Sequence, residues 1–126
     1  MIFGIGTDIV EYARIAAAYA RHGERFAQRV LSQTELPELH GHAYPARLLA
    51  KRFAAKEAFA KAVGSGLRHP VSLHSISIIH DALGKPVLRF DAPLHDHLRR
   101  LGVSGHHLSI SDERGMVVAF VVLEKL

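Results

Sequence analysis

The hydrophobic pattern of this chain changes period along its length, mostly helical in the first half and alternating in the second. Ile2-Phe-Gly-Ile-Gly-Thr-Asp-Ile-Val10 is short, rich in β-branched residues and punctuated by glycine, which predicts a strand. Tyr12 to His22 then carries Ile15, Ala16, Tyr19 and Ala20 at helical spacing, with Gly23 as the stop. A second short helix is predicted from about Glu24 to Val30. Ser32 or Thr34 would cap a brief turn ending near Leu39, and His40-Gly-His-Ala-Tyr44 reads as a loop. Pro45 opens a long helix at a position where proline is welcome, and Gly64 closes it. Beyond it, Leu73 to His80 alternates as a strand, Asp81 to Pro86 is turn material, and Val87 to Phe90 returns as the hairpin mate. Pro93 to Leu101 is a small helix closed by Gly102. His107 to Ser111, a turn around Glu113-Arg-Gly115, and Met116 to Leu123 form a second hairpin. Its last strand is nearly all apolar and should be central or buried on both faces. The order β-α-α-α-β-β-α-β-β predicts one α+β domain over residues 1–126, a largely antiparallel sheet packed against a long central helix.

That long helix departs from a plain amphipathic pattern. At about 100° per residue, Leu48, Leu49, Phe53, Phe59, Ala60 and Val63 share one broad apolar arc, yet Arg52 and Lys56 lie inside it and Glu57 at its edge. Charges on an apolar face cost free energy unless they are paired or bind something. Arg52 and Lys56 are therefore expected to face an anionic ligand or a subunit interface. On the other side, Ala54 and Ala58 are small enough to let another element approach closely.

Composition narrows the classes. Hydrophobic content of 48% with 22% charged residues is that of a soluble globular protein. The absence of cysteine removes disulfides, thiolate metal sites and a cysteine nucleophile, and fits a reducing cytoplasm. No apolar run approaches the roughly 20 residues of a membrane span, and Met1-Ile-Phe-Gly-Ile-Gly6 lacks the features of a signal peptide. Neither a membrane nor a secretory route is expected. A formal charge of +4, with Arg14, Arg21, Arg25, Arg29, Arg47, Lys51 and Arg52 in the first half, points to an anionic partner. Aromatic residues at only 7%, with no tryptophan, argue against single-strand nucleic acid, which is bound by base stacking.

Two carboxylates carry the candidate chemistry. Asp8 interrupts an apolar strand and must be satisfied by donors or by a cation. Backbone N–H groups at a strand end would suffice, and a metal is the alternative. Glu57 forms a favourable i,i+4 pair with Lys61, worth only a few tenths of a kcal/mol on an exposed helix, but sits at the border of the apolar arc. Two carboxylates from separate elements, with no cysteine and no histidine pair at helical spacing, favour magnesium over zinc. Magnesium usually shares its shell with substrate phosphate. Gly64-Ser-Gly66 is a flexible loop at the helix C-terminus, where the macrodipole opposes anion binding, so Ser65, Lys61 or backbone N–H groups would have to hold any phosphate there.

Gly6-Thr-Asp-Ile-Val-Glu-Tyr-Ala-Arg14, the stretch from Phe26 to Glu35, Lys51-Arg-Phe-Ala-Ala-Lys-Glu-Ala-Phe-Ala-Lys61, and Leu108-Ser-Ile-Ser111 together resemble bacterial holo-acyl-carrier-protein synthases, the small 4′-phosphopantetheinyl transferases. The resemblance runs in order over essentially the whole chain. It implies transfer of phosphopantetheine from coenzyme A to a serine of apo acyl carrier protein, an acidic partner, with release of 3′,5′-ADP. It further implies that Asp8 and Glu57 hold magnesium on the pyrophosphate and that Lys61 lies near the transferred phosphate. Arg52, Lys56, Ser65 and Gly66 are then candidates for contact with coenzyme A. The basic first helix, with Arg14, Arg21 and Arg25, would dock the carrier protein. A homotrimer with active sites between subunits is implied as well. In one departure, Asp112 stands where many relatives have histidine, so a role carried by that histidine does not transfer, and Arg114 or His106 are the nearby alternatives.

Overall fold

The structure is a computed structural model that describes residues 1–126. Its elements are β1 (Ile2–Glu11), α1 (Tyr12–His22), α2 (Glu24–Val30), α3 (Leu36–Leu39), α4 (Pro45–Val63), β2 (Ile76–His80), β3 (Pro86–Phe90), α5 (Ala92–Leu101), β4 (Val103–Glu113) and β5 (Met116–Lys125). The strands form two antiparallel sheets, one ordered β1-β5-β4 and one made of β2 and β3. The apolar β5 is thus central, as its composition predicts. One face alone is covered, however: Val117, Ala119, Val121 and Leu123 are buried against α4, while Phe120 points away from the core and is exposed.

Helix α4 is the axis of the fold. It starts at Pro45 and ends where Gly64 takes a left-handed conformation and donates its N–H to Ala60 O. It buries Leu48, Leu49 and Phe59, with the Phe59 ring 5.0 Å from that of Phe90. Burying a side chain of this size contributes about 1.5–3 kcal/mol. Its contact with β1 is backbone to backbone. A Cβ added at Gly6 would lie 2.0 Å from Ala58 O, and one at Gly4 would lie 2.1 Å from Ala62 O. Glycine on the strand and alanine on the helix are what allow this approach, and it brings Asp8 beside the helix.

Two local expectations are corrected. Strand β2 begins at Ile76 rather than Leu73, because the Ser75 hydroxyl donates back to Pro70 O and accepts the Ser72 N–H, holding residues 72–75 in a turn. Helix α3 is not capped by Ser32 or Thr34: their hydroxyls bond to each other at 3.1 Å and to Ser77 at 2.6 and 3.0 Å, tying the α2–α3 connection to β2. Asp91, by contrast, caps α5 by accepting the Leu94 N–H.

Candidate active site

Strand β1, the first turns of α1 and the middle of α4 enclose a cleft of about 430 Å³ lined by Asp8, Glu11, Arg14, Phe26, Phe53 and Glu57, among others. Asp8 points inward because residues alternate along β1, whose side chains at 5, 7 and 9 face out. Glu57 reaches the cleft from the half-buried flank of α4. One turn on, Lys61 Nζ lies 3.1 Å from Asp8 Oδ1 and donates to Thr7 O at 3.0 Å. Burial, and secondarily the charge of Asp8, push the Glu57 carboxyl above its ordinary value, against the pull of Lys61. Two carboxylates that repel each other at a solvent-open cleft are a receptive site for a cation. No group of three or more histidine, aspartate or glutamate side chains gathers anywhere in the chain. A metal here would be held by two protein carboxylates, with its other positions open to water and ligand oxygens. That donor set suits magnesium, a hard cation that keeps several waters.

The other expected site residues divide. Arg14 lines the same cleft. Arg21 lies in the last turn of α1, but Arg25 belongs to α2, where it lines a small hollow with His22, Phe26 and Arg29. All three arginines are exposed and none forms an ion pair. Ser65 and Gly66 lie outside the cleft. The Gly66 N–H folds back onto Ala60 O and the Ser65 hydroxyl donates to Gly66 O, so part of this loop's bonding capacity is used within the helix end.

Arg52 and Lys56, expected to face an anionic ligand or a subunit interface, are turned into the protein. Both are buried, at 3% and 0% exposure, and converge on Glu35, itself 1% exposed. Lys56 Nζ lies 2.6 Å from Glu35 Oε1, and Arg52 bonds Glu35 at 3.2 Å and Glu38 at 2.8 Å. The charges inside the apolar arc are therefore satisfied within the protein. Burial alone would raise the Glu35 carboxyl, but the charge and hydrogen bond of Lys56 outweigh it and hold the group below its ordinary value. Glu35 is the residue that the sequence pattern left unassigned. Its signal was Ser32-Gln-Thr-Glu35, the spacing of a capping box, and Glu35 Oε1 indeed accepts the Ser32 N–H at 2.9 Å.

Asp112, the departure near the end of β4, accepts Arg47 Nη1 on both oxygens, at 2.7 and 2.9 Å, with Lys51 Nζ at 3.7 Å. The Arg47 guanidinium lies 5.0 Å from the Tyr12 ring centroid, which joins β4, α4 and α1. His106, one of the two nearby alternatives, lies far from Asp112. It sits six residues back along the strand, roughly 20 Å away at strand rise, and accepts the Leu88 N–H. Arg114 occupies the turn between β4 and β5, with a φ of 51°.

The α+β fold thus brings two carboxylates that repel each other, a lysine paired to one of them and one unpaired arginine, Arg14, to the same cleft. The 4′-phosphopantetheinyl transferase superfamily matches residues 4–120. The chain belongs to that family and is an enzyme of the phosphopantetheinyl transferase class. It is 55% identical over 125 residues to the holo-[acyl-carrier-protein] synthase of Nitrosospira multiformis, covering 99% of this chain and 100% of the relative. Its fold is similar to the crystal structure of the holo-[acyl-carrier-protein] synthase from Neisseria meningitidis, with a TM-score of 0.96, 52% identity, and 99% and 100% of the two chains covered. A holo-(acyl-carrier-protein) synthase from Bacillus anthracis, solved in complex with CoA (3′,5′-ADP), matches with a TM-score of 0.82 and 37% identity, over 100% and 99% of the two chains.

Proposed function

We propose that this enzyme transfers the 4′-phosphopantetheine group of coenzyme A to a serine of apo acyl carrier protein, giving holo carrier protein and 3′,5′-ADP, with magnesium held by Asp8 and Glu57. The observation that carries the reading is the placement of Asp8, Glu57 and Lys61 at one open cleft. The full-length likeness to holo-[acyl-carrier-protein] synthases, one of them solved with coenzyme A, supports it.

The reaction joins the serine oxygen to the β-phosphorus of coenzyme A and breaks the bond from that phosphorus to the bridging oxygen, which leaves with 3′,5′-ADP. Bound magnesium would neutralise the pyrophosphate and stabilise charge on its oxygens. Lys61, exposed and on a flexible stem, can leave Asp8 to meet the charge that develops on the transferred or departing phosphate. The serine proton passes to Glu57 or to a water that Glu57 orients. Arg14 at the cleft, with Arg21 and Arg25 beyond it, offers an acidic carrier protein a basic approach to the site.

Ile5 and Ile9 are 58% and 63% exposed on the outer face of β1, beside Phe120 at 44% on β5. Thr7 pairs with Phe120 and Ile9 with Val118, so these residues form one continuous apolar patch. A homotrimer that buries this face, with each active site completed by a neighbouring subunit, accounts for it. No helix is long and apolar enough to cross a membrane, and the cysteine-free chain suits a cytoplasmic enzyme.

Incubation with coenzyme A, magnesium and apo carrier protein, followed by weighing the carrier, tests the proposal. The carrier should gain the mass of one phosphopantetheine. Release of phosphopantetheine to water in the absence of carrier would instead indicate a pyrophosphatase.

A further inference from the structure

The largest concentration of buried charge lies outside the cleft, on a different side of α4. Glu35 accepts four hydrogen bonds. Oε1 takes the Ser32 N–H at 2.9 Å and Lys56 Nζ at 2.6 Å, while Oε2 takes the Ile78 N–H at 2.9 Å and Arg52 Nη1 at 3.2 Å. Lys56 Nζ donates also to Val30 O and Leu73 O, both at 2.8 Å, so all three of its protons are used. No buried side-chain polar atom in the protein lacks a partner. The cluster thus ties α4 to the end of α2, the Ser32–Glu35 turn, the turn before β2 and β2 itself.

As a source of stability such a cluster is poor, because apolar residues of similar volume often serve as well or better. Its distinctive product is direction. Of the twelve buried residues of α4, seven are alanines. A surface that smooth has few ridges to lock a helix against turning on its axis. The glycines of β1 bring the helix close at Ala58 and Ala62 but present no side chain to grip it. The Arg52/Lys56 side, the Ala58/Ala62 side and Glu57 lie about a third of a turn apart around the helix, at 3.6 residues per turn. Rotation of α4 that slackened the cluster would swing Glu57 relative to Asp8.

We propose that Glu35 is a positioning residue for the carboxylate pair: by gripping Lys56 and Arg52 it fixes the rotation of α4, and so holds Glu57 in the cleft with Asp8. This rests on the reading of Asp8 and Glu57 as metal ligands. Residues that orient ligating side chains from behind typically change metal affinity by about 10–100-fold when replaced.

The test is Mn²⁺ binding to the substrate-free protein, followed through the electron paramagnetic resonance signal of the free ion, beside thermal melting and steady-state kinetics. The triple variant Glu35→Leu/Arg52→Met/Lys56→Met removes the buried charges together. It should melt near the wild-type temperature, bind Mn²⁺ at least about tenfold more weakly, and need a correspondingly higher Mg²⁺ concentration for half-maximal turnover. Arg52→Met leaves Lys56 and Glu35 as a neutral pair and decides the matter should the triple fail to fold: it should weaken Mn²⁺ several-fold. Wild-type Mn²⁺ affinity in the folded triple, or in Arg52→Met where the triple does not fold, overturns the positioning role. Asp8→Ala separates the two ideas. If wild type binds Mn²⁺ and Asp8→Ala does not, the ligand assignment stands whatever the triple shows. If wild type shows no saturable binding, both fall.

Discussion

Lys61 Nζ and Asp8 Oδ1 lie 3.1 Å apart, joining the last turn of α4 to β1 at the edge of the cleft. The pair is partly open to solvent, with Lys61 53% and Asp8 16% exposed at the side chain, so its contribution to folding is small. Its interest is chemical. On the proposed reading, it keeps a mobile cation at the rim of the carboxylate pair, free to move to a substrate phosphate.

Lys61→Ala should therefore lower kcat by about 10²-fold, the scale for losing one donor to a developing oxyanion. Metal affinity should hold or tighten, because a cation beside the carboxylates has been removed. Parallel Mn²⁺ titration and turnover measurements check this. Equal losses in both would mean that Lys61 only shapes the metal site.

If Glu57 holds magnesium as proposed, its raised proton affinity should make metal binding sensitive to acid. In the metal-free fold its protonated form is favoured, so the stability it contributes is present below its unfolded value near 4.5 and is lost as pH rises through the raised folded value. Metal requires the ionised form. The rise in melting temperature on adding Mg²⁺ should shrink as pH falls, beginning above the range of an ordinary glutamate. A Glu57→Gln variant should show a smaller and flatter response across the same series.

Gly6→Ala places a methyl group 2.0 Å from the backbone oxygen of Ala58, which cannot rotate away. Overpacking of this kind costs about 1–3 kcal/mol and sometimes more, and the upper end applies because backbone must move. Denaturant midpoints should fall accordingly, and the forced parting of β1 from α4 should reduce turnover beyond the loss of stability.

Phe120→Glu sets a charge in the middle of the apolar outer sheet face. Sedimentation should show a wild-type trimer and a variant running as the 13.9 kDa chain, with transfer activity lost alongside. An unchanged sedimentation mass would remove this face from the assembly.

Local signals in the chain were enough to outline the fold. Pro45 and Gly64 act on their own backbone, and both ends of α4 fall where they indicate. The start of β2 was hidden because Leu73-His-Ser75 alternates like a strand, while hydroxyl bonds among residues 70–75 override that pattern. Asp8 and Glu57 stood out as carboxylates in apolar settings, but their meeting depends on a glycine–alanine contact between segments about fifty residues apart. Arg52 and Lys56 looked like ligand contacts because their true partner, Glu35, lies 17 and 21 residues away and joins them only once α4 has folded over the α2–α3 connection. Periodicity shows which face a charge lies on. It does not show what another segment brings to that face.

The measurement closest to the central claim is phosphopantetheine transfer by Asp8→Ala and Glu57→Ala, followed by carrier-protein mass across a wide range of Mg²⁺ concentrations, with circular dichroism confirming the fold. Both variants should keep their helical signal and transfer no phosphopantetheine at any Mg²⁺ concentration that saturates wild type. Wild-type transfer by either one would contradict the assignment of these carboxylates as the magnesium-holding pair.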